Sequence, residues 1–502
     1  METRQFKMKR LIPIFLGTFL IAGCAVPLRP LSKDGLLKQS KDEIAQTQAA
    51  VEPISSNLTL EEAIARGLKY NLDFRVKQYE QALAISQNDL AALEMLPKLV
   101  GTAGYYRRNN DAINTSVNAQ TGAPSTSTYI STDREIRTAD LGLSWNILDF
   151  GASYFNARQQ GDRVLIAIER RRKAMHNLVQ DIRTAYLRAY VAQNFDSIVN
   201  ATISEGEQVL KSAKQAEREK LKSPSDILKT QKIILDNLRT LEAIRQELST
   251  ANIELASYIR ANPGSTITLA QSDSTLMLPK QISLPVDDME NIAIKNNADV
   301  REQIYNARIA KDDVKKNMLK LFPGISFNVG PHYSSNSFLV NNKWNDAAVQ
   351  VSWNLMNVLS IPGQIASAKS ANQLYEEKKV AVLMGLITQV HVSRQLYDNS
   401  YQALQRSQEI LDVDRRLSEI SQLKVDNKIE SGLEHVTYRT AFILSMLRKY
   451  QALSQLYLAE GKLRSTLGQE IVTGDVSKVT LPQLTQEVSI TLKNWGTEDL
   501  TH

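Results

Sequence analysis

The chain has a single cysteine, Cys24, in 502 residues. One thiol cannot make an internal disulfide, and it excludes a zinc site built on paired cysteines. Proline (14) and glycine (21) are both scarce, against usual shares of about 5% and 7%. Few turn formers imply long helices. Aromatic residues make up only 6%, and the five histidines (His176, His332, His391, His435, His502) stand far apart without ligand spacing. The phosphate-binding glycine loop, the dinucleotide fingerprint, G-x-S-x-G and H-E-x-x-H are all missing. Nothing recommends an enzyme, a metal or a bound cofactor. Beyond the N-terminus there is no run of 18 apolar residues, so no membrane-crossing helix is expected. A chain without one can still cross a membrane as part of a closed β-barrel.

What is present begins with an address. Arg4, Lys7, Lys9 and Arg10 precede an apolar run, Leu11 to Ala22, that is too short to span a bilayer and has the layout of a secretory signal. Met8 is an alternative start. The run ends Leu20-Ile21-Ala22-Gly23-Cys24. This resembles a bacterial lipobox, which makes Cys24 the expected lipidation site and its covalent lipid the only attached group. The plainer reading is a short hydrophobic anchor with a chance cysteine. Removing residues 1–23 leaves 56 basic and 53 acidic side chains, so the net charge falls from +6 to +3. With both signs mixed and aromatics few, nucleic acid is not an expected partner.

The chain is also written twice. Asn71-Leu72-Asp73-Phe74-Arg75 recurs as Asn297-Ala298-Asp299-Val300-Arg301, and Pro97 as Pro323, both 226 positions on. Leu143-Ser144-Trp145-Asn146 recurs as Val351-Ser352-Trp353-Asn354, and Lys220-x-x-Ser223-x-x-Asp226 as Lys428-x-x-Ser431-x-x-Glu434, both 208 positions on. The 18-residue difference falls between Pro97 and Trp145, where Asn109–Arg134 is dense in Asn, Ser and Thr and is expected to be loop. The expected organisation is a signal peptide (1–23), a lipid-anchored linker (24–57), a first repeat (58–270), a linker (271–283), a second repeat (284–470) and a C-terminal tail (471–502). Residues 25–57 and the tail lack strong periodicity.

Each repeat opens with an amphipathic helix, Leu60 to Pro97 or Met289 to Phe322, which Asn71 or Asn297 is expected to interrupt. Pro97 and Pro323 end it. A strand pair follows. Ala139, Leu141, Leu143, Trp145 and Ile147 alternate with polar or small residues, as do Ile325, Phe327 and Val329, and then Ala347, Val349, Val351, Trp353 and Leu355. Such alternation puts one face in an apolar medium and the other in water. Very long helices come next, Gly151–Lys222 and Gln364–Glu430, turning at Ser223-Pro224 and Ser431-Gly432. Return helices run to about Arg260 and to Leu467. A 72-residue helix is roughly 110 Å long, far more than a bilayer, and its 3–4 spacing reads as coiled-coil packing.

Four strands cannot close a barrel, for which about eight is the practical minimum. Open edges in lipid leave backbone groups unsatisfied. The strands must then close with those of further copies about a symmetry axis. At this point the sequence resembles the outer-membrane efflux protein, or TolC-like, family over about residues 58–470. The marks are the tandem repeat, the strand pair before each long helix, and the hairpin tips. Family tips read R-x-x-x-G-x-x-S/T-x-x-D/E, matched by Lys424-x-x-x-Lys428-x-x-Ser431-x-x-Glu434 and less well by Ala216-x-x-x-Lys220-x-x-Ser223-x-x-Asp226. The tip glycine is lysine in both.

The resemblance implies a mixed α and β membrane protein, a homotrimer with a twelve-stranded transmembrane β-barrel continuous with a long periplasmic α-helical barrel. It implies an outer-membrane location, a periplasmic adaptor and an inner-membrane pump as partners, and passive export of small toxic compounds. A type I protein secretion outlet is the alternative within the fold, and a periplasmic coiled-coil scaffold the alternative outside it. The resemblance also places gate acids at Asp226 and Glu434, whose plainer reading is a capping box with Ser223 or Ser431. Glu430 stands where some members carry an arginine that ties the gate closed. Lys220, Lys222, Lys424 and Lys428 make the tips basic, either as an adaptor contact or as a solvated turn. Leu143, Trp145, Ile147, Val351, Trp353 and Leu355 are the expected lipid-facing strand positions.

Overall fold

The computed structural model describes residues 30–54, 57–219, 223–265, 267–270, 280–427 and 432–497. The chain separates into two compact units, Met1–Pro53 and Ile54–His502. The described part of the first is one helix, α1 (Lys33–Ala49), capped by the Ser32 hydroxyl accepting from Gly35 N–H at 3.0 Å and burying none of its residues. Cys24 and the signal segment lie outside the described residues.

The second unit repeats one order of elements. First come α2 (Leu60–Tyr70), α3 (Leu72–Leu93) and strand β1 (Lys98–Arg107). After β2 (Ile113–Val117) and β3 (Pro124–Ile130) come β4 (Glu135–Asn146), α4 (Ile147–Arg218), α5 (Pro224–Ser249) and α6 (Ala251–Ile259). Then come α7 (Val286–Asn296), α8 (Ala298–Leu319), β5 (Gly324–Ser334), β6 (Lys343–Ser352), α9 (Leu355–Asp426) and α10 (Gly432–Leu467). A short 3-10 turn (Val476–Lys478) and α11 (Leu481–Thr497) are the last described elements.

Asn71 and Asn297 interrupt the first helix of each repeat in the same way. The Asn71 carboxamide oxygen accepts from Phe74 N–H at 3.0 Å, while its Nδ2 donates to the Tyr258 carbonyl at 3.3 Å. Asn297 accepts from Asp299 and Val300 N–H and donates to the Thr466 carbonyl at 3.0 Å. Each asparagine therefore starts one helix and fastens it to the return helix of its own repeat.

Both long helices are 72 residues. The second starts nine residues before the expected Gln364 and runs through Pro362. The first return helix is broken at Thr250, between α5 and α6, whereas α10 is continuous to Gly468. Gly468 has φ +74, and a Cβ there would stand 2.3 Å from the Asn296 carbonyl oxygen. Only glycine suits that left-handed, crowded helix end.

The core lies among the helices and joins the repeats. Leu187 of α4 packs with Tyr397 and Leu404 of α9 and Leu453, Leu456 and Tyr457 of α10. A second cluster sets Met289, Ala293 and Val300 against Leu386, Val390, Leu463 and Leu467. The C-terminal tail holds a helix whose Leu481, Leu484 and Val488 are buried.

The strands form one four-stranded antiparallel sheet in the order β1-β4-β5-β6 and a separate β2-β3 hairpin. Asn109–Arg134 is therefore not plain loop, since it carries the hairpin. Neither hairpin face is buried, so its sequence shows no apolar alternation. The loops of the two repeats are tied together. Asp133 accepts from both Ser337 N–H and the Ser337 hydroxyl, the latter at 2.8 Å, and Asp133 N–H donates to the Asn336 carboxamide oxygen at 3.1 Å.

Candidate functional site

Thr102 pairs with Asp140, Asp140 with His332, and His332 with Trp344. In this register the even-numbered residues of all four strands share one face and the odd-numbered ones the other. The odd face carries Leu99, Ala103, Leu141, Leu143, Trp145, Phe327, Val329, Val349 and Val351, all outside the core. Along β4 these odd positions are exposed and the even ones half-buried. The apolar side is thus the uncovered one, the reverse of a soluble sheet packed on its own core.

At the two ends of this face stand aromatic rings. Tyr105 and Tyr333 lie near one end, and Trp145, paired with Phe327, near the other. Six to eight residues separate the two levels along β4, roughly 20–27 Å at about 3.4 Å per residue. Charged residues of this face, Arg107, Glu135, Arg137 and Lys343, occur only beyond or beside the tyrosine level.

Leu143 and Trp145 hold the expected strand positions on β4, and Val351 holds its position on β6. Trp353 lies just past β6 and is exposed. Ile147 and Leu355 do not belong to strands; they are the first residues of α4 and α9. The reason is visible at Asn146, whose side-chain oxygen accepts from Leu148 and Asp149 N–H at 2.9 and 3.1 Å and so starts the helix. Asn354 precedes Leu355 at the equivalent place.

At the other end of the helices the tips are only partly described. Lys220, Lys222 and Lys428 lie outside the described residues, as does the cap candidate Ser431. Lys424 is exposed in the last turn of α9. Asp226 and Glu434 are in the first turns of α5 and α10 and are exposed. The first expected capping box does not form. Ser223 makes no side-chain cap hydrogen bond, and Asp226 lies 3.9 Å from Lys229. With Pro224 following, the turn is closed instead by backbone, Asp226 N–H to the Ser223 carbonyl at 3.1 Å.

Just above the tips the two hairpins are fastened to each other through residues that sequence reasoning missed. Arg439 of α10 reaches Glu205 of α4 at 3.1 Å, with His435 3.9 Å from the same carboxylate. Asn237 of α5 donates to the Thr437 hydroxyl at 3.4 Å. Nothing local in the sequence marks these pairs, because the partners are 200 or more positions apart.

Deeper in the helical part, His176 of α4 is buried and lines a cleft of about 460 Å³ with Arg172, Gln180 and Ser465. Burial, with the nearby Arg172 charge, lowers its pKa from 6.5 to about 4. The unfolded chain takes up this proton near pH 6.5 and the folded chain only near pH 4. His176 thus contributes stability above pH 6.5 that is lost as the pH falls toward 4. Thermal melts over that range should show a flatter pH profile for His176→Asn than for the parent. Parallel profiles would refute this.

Among the described residues no cluster of His, Cys, Asp or Glu is arranged to hold a metal, and no helix is long and apolar enough to cross a membrane. Residues 63–259 match the outer membrane efflux protein family. Over 82–93% of its length the chain shares the fold of solved outer-membrane channels. The CmeC outer membrane channel of Campylobacter jejuni superimposes with a TM-score of 0.65 at 11% identity, over 93% of this chain and 98% of that one. The outer-membrane channel OprN gives 0.63 at 15%, over 82% and 89%. The open state of the MtrE outer membrane channel of Neisseria gonorrhoeae gives 0.60 at 14%, over 83% and 91%. No match was found among curated proteins. The efflux protein family and these neighbours are transport channels with no cofactor requirement, not enzymes.

Proposed function

We propose that this chain is one third of a lipid-anchored exit duct in the outer membrane, through which an inner-membrane pump and a periplasmic adaptor discharge small toxic compounds. The observation that carries this reading is the four-stranded sheet whose outer edges, along β1 and β6, pair with no other described strand and whose apolar face is uncovered. Alone, such a sheet would leave two rows of backbone groups open in hydrocarbon, at several kcal/mol for each group. Three copies edge to edge supply twelve strands, enough to close. The aromatic levels at its two ends are spaced much like the girdles of an apolar band about 25 Å tall. Helices of roughly 110 Å then stand in the periplasm, and the duct needs no energy source of its own. Cys24 would carry the anchoring lipid.

Passage is controlled, on this reading, where the hairpin tips meet the axis. Exposed Asp226 and Glu434, repeated threefold, would place like charges around it, and Arg439–Glu205 would hold neighbouring hairpins together above them. The basic tip residues Lys220, Lys222, Lys424 and Lys428 are the proposed adaptor contact. The test is single-channel recording of purified trimer in planar bilayers. Asp226→Ala with Glu434→Ala, and separately Arg439→Ala, should each raise conductance about twofold or more, since each weakens an electrostatic element of the constriction. Unchanged conductance in both would remove the tips from gating, and a monomer stable without detergent would overturn the duct itself.

A further inference from the structure

The even face of the sheet is mostly Gly, Ser, Thr and Asn, including Thr138, Gly142, Ser144, Asn146, Ser326 and Asn328. Its charge is confined to two places. Lys98 sits at the end near the helices, and three groups lie together toward the opposite end, Asp140, His332 and Asp346. These three come from β4, β5 and β6, so both repeats contribute. His332 lies between the carboxylates, with Nδ1 2.7 Å from Asp140 Oδ1 and Nε2 3.0 Å from Asp346 Oδ1.

The arrangement is held from both sides. Thr102 Oγ1 donates to the second Asp140 oxygen at 3.3 Å, and the Trp344 indole stacks on the imidazole at 5.4 Å and 15°. The carboxylates sit on opposite ring nitrogens and do not converge on one point, which is not how ligands surround a metal. Ionised carboxylates only accept, so both contacts are hydrogen bonds when the ring carries two N–H groups. In that state one positive ring stands between two negative groups, and the cluster keeps one negative charge.

We infer that this cluster is a charge filter of the duct: three copies ring the lumen at one level and favour cationic over anionic solutes. The inference rests on the trimeric-barrel reading, which turns the even face inward. His332 is the positioning residue, since it spaces the carboxylates and cancels half of their charge. The exposed part of Trp344 beside Asp346 adds an aromatic surface that suits organic cations. A ring of carboxylates in a wide pore acts over roughly one Debye length, about 8 Å at 0.15 M and about 30 Å at 0.01 M. Its selectivity is therefore a low-salt property.

The test uses the full-length trimer in planar bilayers under a potassium chloride gradient at low ionic strength. The reversal potential gives the ratio of potassium to chloride permeability. The parent should prefer potassium. Asp346→Asn should lower the ratio, and Asp140→Asn with Asp346→Asn should lower it further, by about twofold or more. His332→Gln should move it the other way, because both carboxylates stay uncompensated. The opposed signs separate a filter from a strut, as a merely structural cluster would shift all three alike or none. Trimer heat stability, measured in parallel, identifies any variant whose sheet has opened, and Asp346→Asn, at an exposed edge position, provides the conservative case. Equal ratios in all the channels would overturn the filter and leave the duct standing. Absence of any conductance in the parent would overturn the duct instead.

Discussion

Glu460→Ala should lower the stability of the folded chain by about 3–5 kcal/mol, the cost of stripping a buried ion cluster of the one anion it has among the described residues. The Glu460 carboxylate lies 3.0 Å from Arg183 Nη2 and 3.1 Å from Arg464 Nε, and all three side chains are 5 or 6% exposed. Among the described residues, Nε and Nη1 of Arg183 have no hydrogen-bond partner. Around the charges are aromatic faces, with Tyr457 4.4 Å from the Arg183 guanidinium and Trp495 4.6 Å from that of Arg464. Arg464 also donates to the Trp495 carbonyl at 2.8 Å. The cluster thus fastens α4 of the first repeat, α10 of the second and the C-terminal helix α11. Without Glu460 two guanidinium groups face each other in a poorly solvated site with no counter-ion among the described residues. Thermal melts of the detergent-solubilised protein should show the loss. Glu460→Gln should fall between the parent and alanine, because it keeps a hydrogen-bond acceptor but not the charge. A parent-like melt for Glu460→Ala would mean that water reaches the cluster.

Leu143→Arg should cost about 2 kcal/mol per subunit, the price of a guanidinium in the hydrocarbon two residues inside the Trp145 level. The expected outcome is a sharp drop in heat-resistant trimer recovered from the outer membrane. Ser144→Arg, one residue on, points to the opposite face and should leave trimer recovery nearly unchanged. The contrast tests the orientation of the sheet directly. If both variants assemble equally well, or Ser144→Arg is the worse, the apolar face does not meet lipid.

The amount that could be read in the sequence differed by kind of interaction. Helices were legible through the want of proline, strand β4 through alternation of Leu141, Leu143 and Trp145 with small or polar neighbours, and β5 and β6 through that of Phe327 and Val329 and of Val349 and Val351. These are local signals, set by the period of the backbone. The hairpin β2–β3 gave none, because both of its faces are in solvent and no period of burial was imposed on it. Strand ends were misplaced at Ile147, where the Asn146 cap decides against continuing alternation, and at Leu355, which likewise starts a helix. The break at Thr250 was not foreseen, since no proline or glycine marks it. For α11 a usable signal existed in Leu481, Leu484 and Val488, spaced as one helix face. The clusters Arg183–Glu460–Arg464, Glu205–Arg439 and Asp140–His332–Asp346 were not legible. A buried charge has the same letter as a surface one, and its partner is chosen by tertiary packing.

The bonds from Asp133 to Ser337 link the longer loop of one repeat to the shorter loop of the other. On the proposed orientation both loops face the world outside the cell, where antibodies and phage would select for change. Replacing Asp133 would strip Ser337 of both bonds, and replacing Ser337 would take from the carboxylate its hydroxyl donor, leaving only the backbone N–H. The two surface segments are therefore expected to vary together across strains, as a single epitope made from distant stretches of chain.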